Sequence, residues 1–262
     1  MSTTMTLETL RDATRQRADQ VNSQFITDAE LDSYINQSYF ELYDILIQKY
    51  GDGYYSADPA IFAIDTASTS SLNVQYPLPN GVLEFINGRT GDSGYVAPEF
   101  YKLYGVDLIL ANQYQSCVNI PPFNFRDRND FSVPNFQSFY GVTNLRYKLN
   151  SNYLWLTPIP AAGQKIQLWY APRLTTLAED DDTCDGISGW TEYIICDAAI
   201  KCMQKEESDC SVLFAQKAAL IQRIEAAAEN RDAANPGTVS DSQASNSKLF
   251  PGGNGSGSGW WG

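Results

Sequence analysis

Histidine is absent from all 262 residues of the sequence. It is the usual general base and proton shuttle near neutral pH and a common metal ligand, so its absence excludes a histidine-based catalytic triad and a histidine-ligated metal. The GxxxxGK[ST] phosphate loop and the GxSxG nucleophile elbow are missing as well. Because no motif singles out a catalytic residue, we expect a protein that is not an enzyme and that needs no cofactor or metal.

Positive charge is scarce. The chain has 18 Lys and Arg residues against 31 Asp and Glu residues, which gives a net charge of -13. A protein that grips DNA by neutralising phosphates needs a basic surface, so this balance argues against tight nucleic-acid binding. No apolar run reaches the length of a membrane span, and the N-terminus lacks a signal-peptide core. We therefore expect no membrane partner.

Cysteine is present but follows no pairing pattern. The five cysteines are odd in number, and none of them forms a CxxC spacing. Cys196, Cys202 and Cys210 fall in predicted helices, where thiols usually pack as small apolar groups. We expect all five to be reduced, which implies assembly in a cytosol.

Four amphipathic or apolar helices are predicted near the two ends of the chain. The first covers about residues 6–21, and the second starts at a capping box formed by Thr27 and Glu30 and ends near Gly51. The third, residues 190–206, is apolar on most sides and must therefore be buried. The fourth follows the cap Ser208-Asp209 and carries a one-sided apolar stripe. Its members are Leu213, Leu220, Ile224 and Ala227.

The centre of the chain has the pattern of strands instead. Short runs that alternate apolar and polar residues, or that are rich in β-branched and aromatic residues, are separated by turn residues. They lie at 72–78, 82–86, 106–110, 145–149, 153–156 and 166–170. The last two runs are predicted to form a hairpin through TPIPAAGQK.

Together these patterns predict an α+β fold. A helical bundle built from the N- and C-terminal helices carries an inserted antiparallel β barrel or sandwich domain. The predicted boundaries are 1–55 and 186–232 for the discontinuous helical domain, 56–185 for the β-rich domain and 233–262 for an extended C-terminal docking tail.

A basic strip on the first helix is one candidate contact surface. Arg11 and Arg15 lie four residues apart, and Arg17 is close to them. These side chains could face a partner or DNA. The alternative is a solvated helix face on which Arg11 and Arg15 pair with nearby Glu8 and Asp19.

A second candidate is the aromatic and basic segment from residue 120 to residue 131. Aromatic and arginine side chains are enriched at protein interfaces, so we predict an interface loop, with a loop packed on the sheet and a base-stacking surface as alternatives. The residues concerned are Phe123, Phe125, Arg126, Arg128 and Phe131.

The last 30 residues are rich in Gly, Ser, Asn and Pro and cannot build a core alone. They nevertheless contain Leu249, Phe250, Trp260 and Trp261, which we predict to dock onto a neighbouring subunit or another partner. The alternative is a disordered tail with incidental aromatic residues.

The acidic run Glu179–Asp185 is out of register for a calcium-binding loop. A solvated linker is the preferred interpretation of this run. A loose divalent-ion site remains the alternative.

Four blocks of the sequence resemble the head-to-tail adaptor, or connector, proteins of tailed bacteriophages, including the tail tubular protein A type of podoviruses. The blocks are residues 10–20, 25–46, 153–172 and 189–232. The resemblance implies a structural virion protein that forms a homo-oligomeric ring, a dodecamer, beneath the portal protein. Such a ring would attach the tail nozzle or tube protein and extend the channel through which genomic DNA passes without sequence-specific binding.

Two other functions stay open at this point. One is a DNA-binding helix-turn-helix regulator that uses the first two helices. The other is a tail module that binds a receptor or carbohydrate through the aromatic residues Trp155, Trp169 and Tyr170.

Overall fold

The fold is α+β, and the described residues form four helices and antiparallel sheets. The computed structural model describes residues 5–20, 25–51, 55–64, 74–110, 117–124, 126, 145–157, 160, 163–184 and 190–229. The helices are α1 (Leu7–Arg17), α2 (Asp28–Tyr50), α3 (Thr191–Lys205) and α4 (Ser211–Glu229). The strands are β1 (Ala60–Ala63), β2 (Val74–Pro77), β3 (Glu84–Asn87), β4 (Ser93–Val96), β5 (Phe100–Ile109), β6 (Cys117–Asn119), β7 (Arg146–Asn150), β8 (Tyr153–Thr157) and β9 (Lys165–Pro172).

Side-chain caps start the two N-terminal helices. The Thr6 hydroxyl accepts a hydrogen bond from the backbone N–H of Thr9, and the Thr27 hydroxyl accepts one from the backbone N–H of Glu30. These bonds satisfy backbone donors that have no partner inside a helix. The predicted start of α2 is thus confirmed. The Glu30 carboxylate itself accepts hydrogen bonds from Tyr34 and Lys205.

Helix α3 contacts each of the other three helices. Its side chains are buried on most sides, as the apolar sequence predicts. Helix α4 buries Leu213 and Ile224, and the Asp209 carboxylate accepts a hydrogen bond from the Ser211 N–H at its start, 2.9 Å away. The helices from both ends of the chain therefore share one apolar core.

The strands form two antiparallel sheets. One has six strands in the order β4-β3-β1-β9-β5-β6, and the other has three in the order β2-β8-β7. Neither sheet closes into a barrel, which makes the barrel alternative wrong. Side chains from both sheets enter one apolar cluster, in which the rings of Phe62 and Tyr76 lie 4.6 Å apart.

The predicted hairpin between the last two strands is wrong. Strand β8 pairs with β2 and β7 in the smaller sheet, whereas β9 pairs with β1 and β5 in the larger sheet. Both strands are central, so each has its two edges occupied by other partners. The connection from Thr157 to Lys165 is long enough to cross from one sheet to the other, and nothing in its sequence fixes a hairpin.

Hydrogen bonds between α2 and the β-rich part hold the two cores against each other. The hydroxyl of Tyr43 donates to the carbonyl of Pro172, and that of Tyr101 donates to the carboxylate of Asp44. The amide of Asn36 exchanges two hydrogen bonds with the backbone of Leu177, at 2.8 and 2.9 Å. The end of β9 and the segment that follows it are therefore fastened to the middle of α2.

Candidate interaction surfaces

The first arginine of the basic strip is held by carboxylates of the same chain. Two nitrogens of the Arg11 guanidinium donate to the Asp32 carboxylate, and a third donates to Asp180 at 2.5 Å. Such a bidentate pair is geometrically specific and stronger than a single contact. The hydrogen bond to Asp32 raises the pKa of Arg11, so the guanidinium stays charged. Arg11 thereby joins α1 to α2 and to the acidic segment.

Arg15 and Arg17 continue the same arrangement. Arg15 binds the Asp28 carboxylate at 2.7 Å and the Ile26 carbonyl at 3.0 Å. Arg17 binds Glu192 at the start of α3 and lies 3.2 Å from the side-chain oxygen of Gln216 on α4. The pairing partners are thus carboxylates on other elements rather than Glu8 and Asp19. A partner-facing role for the strip stays a prediction, and its charge is largely compensated within the subunit.

The aromatic and basic segment is described only in part. Phe123 is buried, and its N–H donates to the carbonyl of Tyr147 on β7 at 3.0 Å. Arg126 is exposed. Phe125, Arg128 and Phe131 lie outside the described residues. The beginning of this segment is therefore packed on the smaller sheet, and the interface role of the whole segment remains a prediction.

The aromatic anchors of the tail, Leu249, Phe250, Trp260 and Trp261, also lie outside the described residues. Their role stays a prediction.

Carboxylates of the acidic segment form hydrogen bonds and an ion pair within the subunit. The Asp182 carboxylate accepts hydrogen bonds from the N–H groups of Ala178 and Glu179, which lower the pKa of Asp182, while Asp180 binds Arg11. Among the residues that the structure describes, no group of three or more acidic or cysteine side chains is arranged to hold a metal ion.

The three residues considered for carbohydrate stacking do not form one platform. Trp169 lies on the outer face of the larger sheet, 37% exposed, and its indole N–H donates to Asp107 at 2.8 Å. Tyr170 is the next residue on β9 and points into the core, where its hydroxyl donates to the Pro98 carbonyl at 3.0 Å. Trp155 belongs to the smaller sheet.

A buried charged network between the helices was not predicted from the sequence. The Asp197 carboxylate on α3 accepts hydrogen bonds from Lys201 at 2.6 Å and from Lys217 on α4 at 2.8 Å. Lys217 also binds Glu41 on α2 at 2.7 Å, and Lys201 also binds the hydroxyl of Ser38 at 2.8 Å. The spacing of Asp197 and Lys201 by four residues was the available signal, but the partners on α2 are more than 150 residues away.

Large apolar side chains at the surface offer further contact area. They are distributed over the helical and the β-rich parts rather than gathered in one sheet or helix. They are Phe25, Val82, Val96, Tyr101, Leu149, Tyr153, Trp169, Val212 and Phe214. Tyr101 lies beside α2, where burial and its hydrogen bond to Asp44 raise the pKa of the phenol to about 12. Its hydroxyl is therefore protonated at neutral pH and can donate.

Comparison with known families identifies the class of protein. The family model described as SU10 adaptor protein matches residues 5–241, which include all four helices and both sheets. The match confirms the resemblance to phage head-to-tail adaptors and makes the chain a structural component of a virion. The chain belongs to the SU10 adaptor protein family.

No curated protein matches the chain. None of the described helices combines the length and the apolar character needed to cross a membrane.

Proposed function

We propose that the chain is the subunit of a ring, a dodecamer, that docks beneath the portal protein at the junction of head and tail. The ring extends the DNA channel and provides the surface to which the tail nozzle or tube protein attaches. The observation that carries this proposal is the family match across residues 5–241. Because adaptors act by contact rather than by chemistry, the proposal assigns the subunit no reaction.

The division of the subunit into two apolar cores supports this role. One core gathers the four helices, which we take as a bundle, and the other lies between the sheets. We assign residues 1–55 and 186–232 to the first part and residues 56–185 to the second. Two bodies fastened along α2 give a ring subunit separate surfaces for its neighbours and for the tail.

The charge of the chain suits a passage for DNA. At a net charge of -13, a lumen lined by this protein repels phosphates, so that DNA slides through without sticking. The arginines that a helix-turn-helix regulator would use are paired with carboxylates of the same chain, which reduces the charge available for phosphate contacts.

Imaging and mass measurement test the ring. Native mass spectrometry of the purified full chain, alone and mixed with portal protein, should show a complex of twelve copies. Electron cryomicroscopy of virions should place that complex between portal and tail. A chain that is missing from mature virions, and monomeric with and without portal, contradicts the proposal.

The tail is proposed to supply the grip on a neighbouring copy or on the portal. Deleting residues 249–262 should weaken attachment at least tenfold and leave the free energy of unfolding unchanged, since the described residues of both apolar cores all precede residue 230. Attachment is measured by co-sedimentation with portal rings and unfolding by urea titration. Deleting only residues 252–258 is the matched control, because it shortens the tail and keeps all four anchors. Equal attachment by both deletions, or a less stable monomer, would count against this role.

A further inference from the structure

A groove runs between α2 and the β-rich part of the subunit. It consists of two adjoining cavities of about 380 Å³ and 360 Å³, which share Tyr43, Arg173 and Leu174 as lining residues. The first cavity extends towards Tyr39, Tyr55 and the segment after β9, and the second towards Phe40, Phe100 and Tyr101. Each cavity lies within the size range of roughly 300–1,000 Å³ that is usual for ligand sites.

A row of three tyrosine rings links the two cavities. The ring of Tyr43 lies 4.6 Å from that of Tyr55 in the first cavity and 5.6 Å from that of Tyr101 in the second. The hydroxyls of Tyr43 and Tyr101 donate to Pro172 and Asp44, so these walls are fixed before anything binds. Tyr43 and Tyr55 are themselves buried, so the aromatic surface open to a ligand comes from exposed Tyr101 and half-buried Phe40 and Phe100 in the second cavity. This part of the groove favours aromatic side chains.

The tail of the chain carries side chains of that kind. Trp260 and Trp261 are adjacent, as the two cavities are, and aromatic rings pair well with aromatic walls. Residues 233–262 contain one acidic residue, Asp241, and one basic residue, Lys248, so the side chains of this segment carry no net charge. A neutral segment can approach a subunit with a net charge of -13 without electrostatic repulsion.

The described chain ends beside the C-terminal end of α2, the helix that forms one wall of the groove. Lys49 in the last turn of α2 binds Glu225 in the last turns of α4 at 2.6 Å, so α4 finishes beside the end of α2. Tyr43 is six residues before Lys49, or about 9 Å along the helix. From Asn230 to Trp260 the chain can extend to at most about 100 Å, which exceeds the dimensions of a domain of this size, so the tryptophans can leave their own subunit.

We infer that the groove between α2 and the β-rich part is the receptor for Trp260 and Trp261 of a second copy of this chain. The inference deepens the proposed docking role of the tail, and it rests on that role in taking the two tryptophans as anchors. Each subunit then gives one aromatic anchor and receives another. Such a head-to-tail contact generates a ring when the rotation between copies closes.

A peptide titration tests the receptor. The protein is the full chain with Trp260→Ala and Trp261→Ala, so that its own tail does not compete. A fluorescent peptide of residues 246–262 should bind saturably by anisotropy, and the same peptide with both tryptophans replaced by alanine should bind at least tenfold more weakly. Absence of saturable binding, or equal binding of the two peptides, overturns the inference.

Two changes in the groove locate the binding. Thr175 is an exposed lining residue, so Thr175→Arg fills the first cavity without entering either apolar core, and Tyr101→Ala removes a wall of the second. Both should weaken the binding of the peptide at least tenfold. The denaturation midpoint should stay near that of the parent for Thr175→Arg and fall for Tyr101→Ala, which also loses the hydrogen bond to Asp44. Val82→Arg, at a residue 76% exposed and outside the groove, is the control and should bind normally. Full binding by both groove variants overturns the assignment.

Mixing complementary variants separates a second copy from the chain's own tail. A chain with Thr175→Arg keeps its tail, and a chain with the two tryptophan changes keeps its groove. The mixture should form one-to-one pairs in analytical ultracentrifugation, whereas each variant alone should stay unpaired at this contact. A mixture without pairs overturns the assignment to a second copy. If the variants do not pair but virions still contain rings of the wild-type chain, the inference about the groove fails and the proposed adaptor function stands. The failure of the inference can thus be distinguished from the failure of the proposed function.

Discussion

Asp197 is a carboxylate buried among three helices, with only 3% of its surface exposed. Lys201 and Lys217 compensate its charge from α3 and α4. Removing Asp197 leaves Lys201 with the Ser38 hydroxyl and Lys217 with Glu41 alone, so part of the positive charge loses its compensation, which is more costly than the loss of the hydrogen bonds alone. The network therefore favours one relative arrangement of α2, α3 and α4, the one in which these charges are paired.

Asp197→Ala should lower the free energy of unfolding by about 3–5 kcal/mol, because two lysines then lie in the helical core without their shared carboxylate. Urea titration followed by far-UV circular dichroism measures the change. Asp181→Ala, at an exposed residue of the acidic segment, is the matched control and should change it by less than about 0.5 kcal/mol. Equal effects of the two changes would show that the network does not stabilise the fold.

The same network predicts a pH dependence. Burial disfavours ionisation of Asp197, but hydrogen bonds from Lys201, Lys217 and Ser38 outweigh it and lower the pKa to about 2, from 3.8. A carboxyl whose pKa falls on folding stabilises the protein above its unfolded pKa, and the contribution disappears as the pH falls through the folded value. The stability difference between the wild type and Asp197→Asn should thus be constant above about pH 5 and shrink towards pH 2. A difference that grew on acidification would contradict the assignment.

Arg11 and Arg173 both pair with carboxylates, but they differ in burial. Arg11 is mostly buried and binds Asp32 through two nitrogens, whereas Arg173 is exposed and binds Glu99 through one, at 2.8 Å. Arg11→Lys should cost about 1–2 kcal/mol of unfolding free energy, since an ammonium cannot reproduce the bidentate contact. Arg173→Lys, the control, should cost less than about 0.5 kcal/mol. Urea or thermal denaturation of both variants measures these costs. Equal costs would contradict the importance of the bidentate contact.

The ion-pair partners of these charged residues could not be predicted from the sequence. The strip of Arg11, Arg15 and Arg17 is visible from spacing along one helix. Its partner Glu192 lies 175 residues further along the chain. A pairing over that distance is fixed by how the helices pack, and local patterns contain no information about it.

At the scale of elements, the helices were predicted well and the strand partners were not. The backbone hydrogen bonds of a helix form within the helix itself. The cap of α2 at Thr27 and the apolar face of that helix can therefore be recognised in the local sequence. A strand depends on neighbours chosen by the whole fold, so alternation at β8 and β9 located the strands but suggested the wrong pairing. Strands β1, β4 and β6 were missed because each has only three or four residues; β4 and β6 are also mostly exposed, without a clear apolar face.

Gly88 marks a close approach between elements, just after β3. Its N–H donates to the carbonyl of Pro59 at 2.7 Å, and a Cβ atom at this position would lie 2.7 Å from the Cβ of Pro59. Gly88→Ala should therefore push β3 away from β1 and cost about 1–3 kcal/mol in urea unfolding.

Gly105→Ala on β5 is the control for this change. The nearest side-chain atom there, from Trp169, would be 3.8 Å from the new methyl group, which is an ordinary contact. The variant should keep nearly full stability. A similar loss in both variants would mean that the close approach at Gly88 is not the cause.

At the scale of the whole molecule, the helical core depends on α3. Ile194 is 1% exposed in the centre of that core, so Ile194→Asp buries an unpaired carboxylate. Its cost of several kcal/mol is comparable to the total stability of about 5–15 kcal/mol for a typical domain, and we expect unfolded, insoluble protein. Val212→Asp changes a residue of α4 that is 68% exposed, and this variant should remain folded. Circular dichroism and soluble yield measure both, and a soluble helical Ile194→Asp protein would show that α3 is not central.

The contact between Arg17 and Glu192 spans 175 positions of the polypeptide. At about 5–20 residues per second, the ribosome delivers the second partner roughly 9–35 s after the first. During that interval α1 and α2 have no α3 to cover their apolar faces. A product that terminates before α3 would keep those faces exposed permanently. Because α3 and α4 complete the helical core, that core can close only after synthesis has passed residue 229.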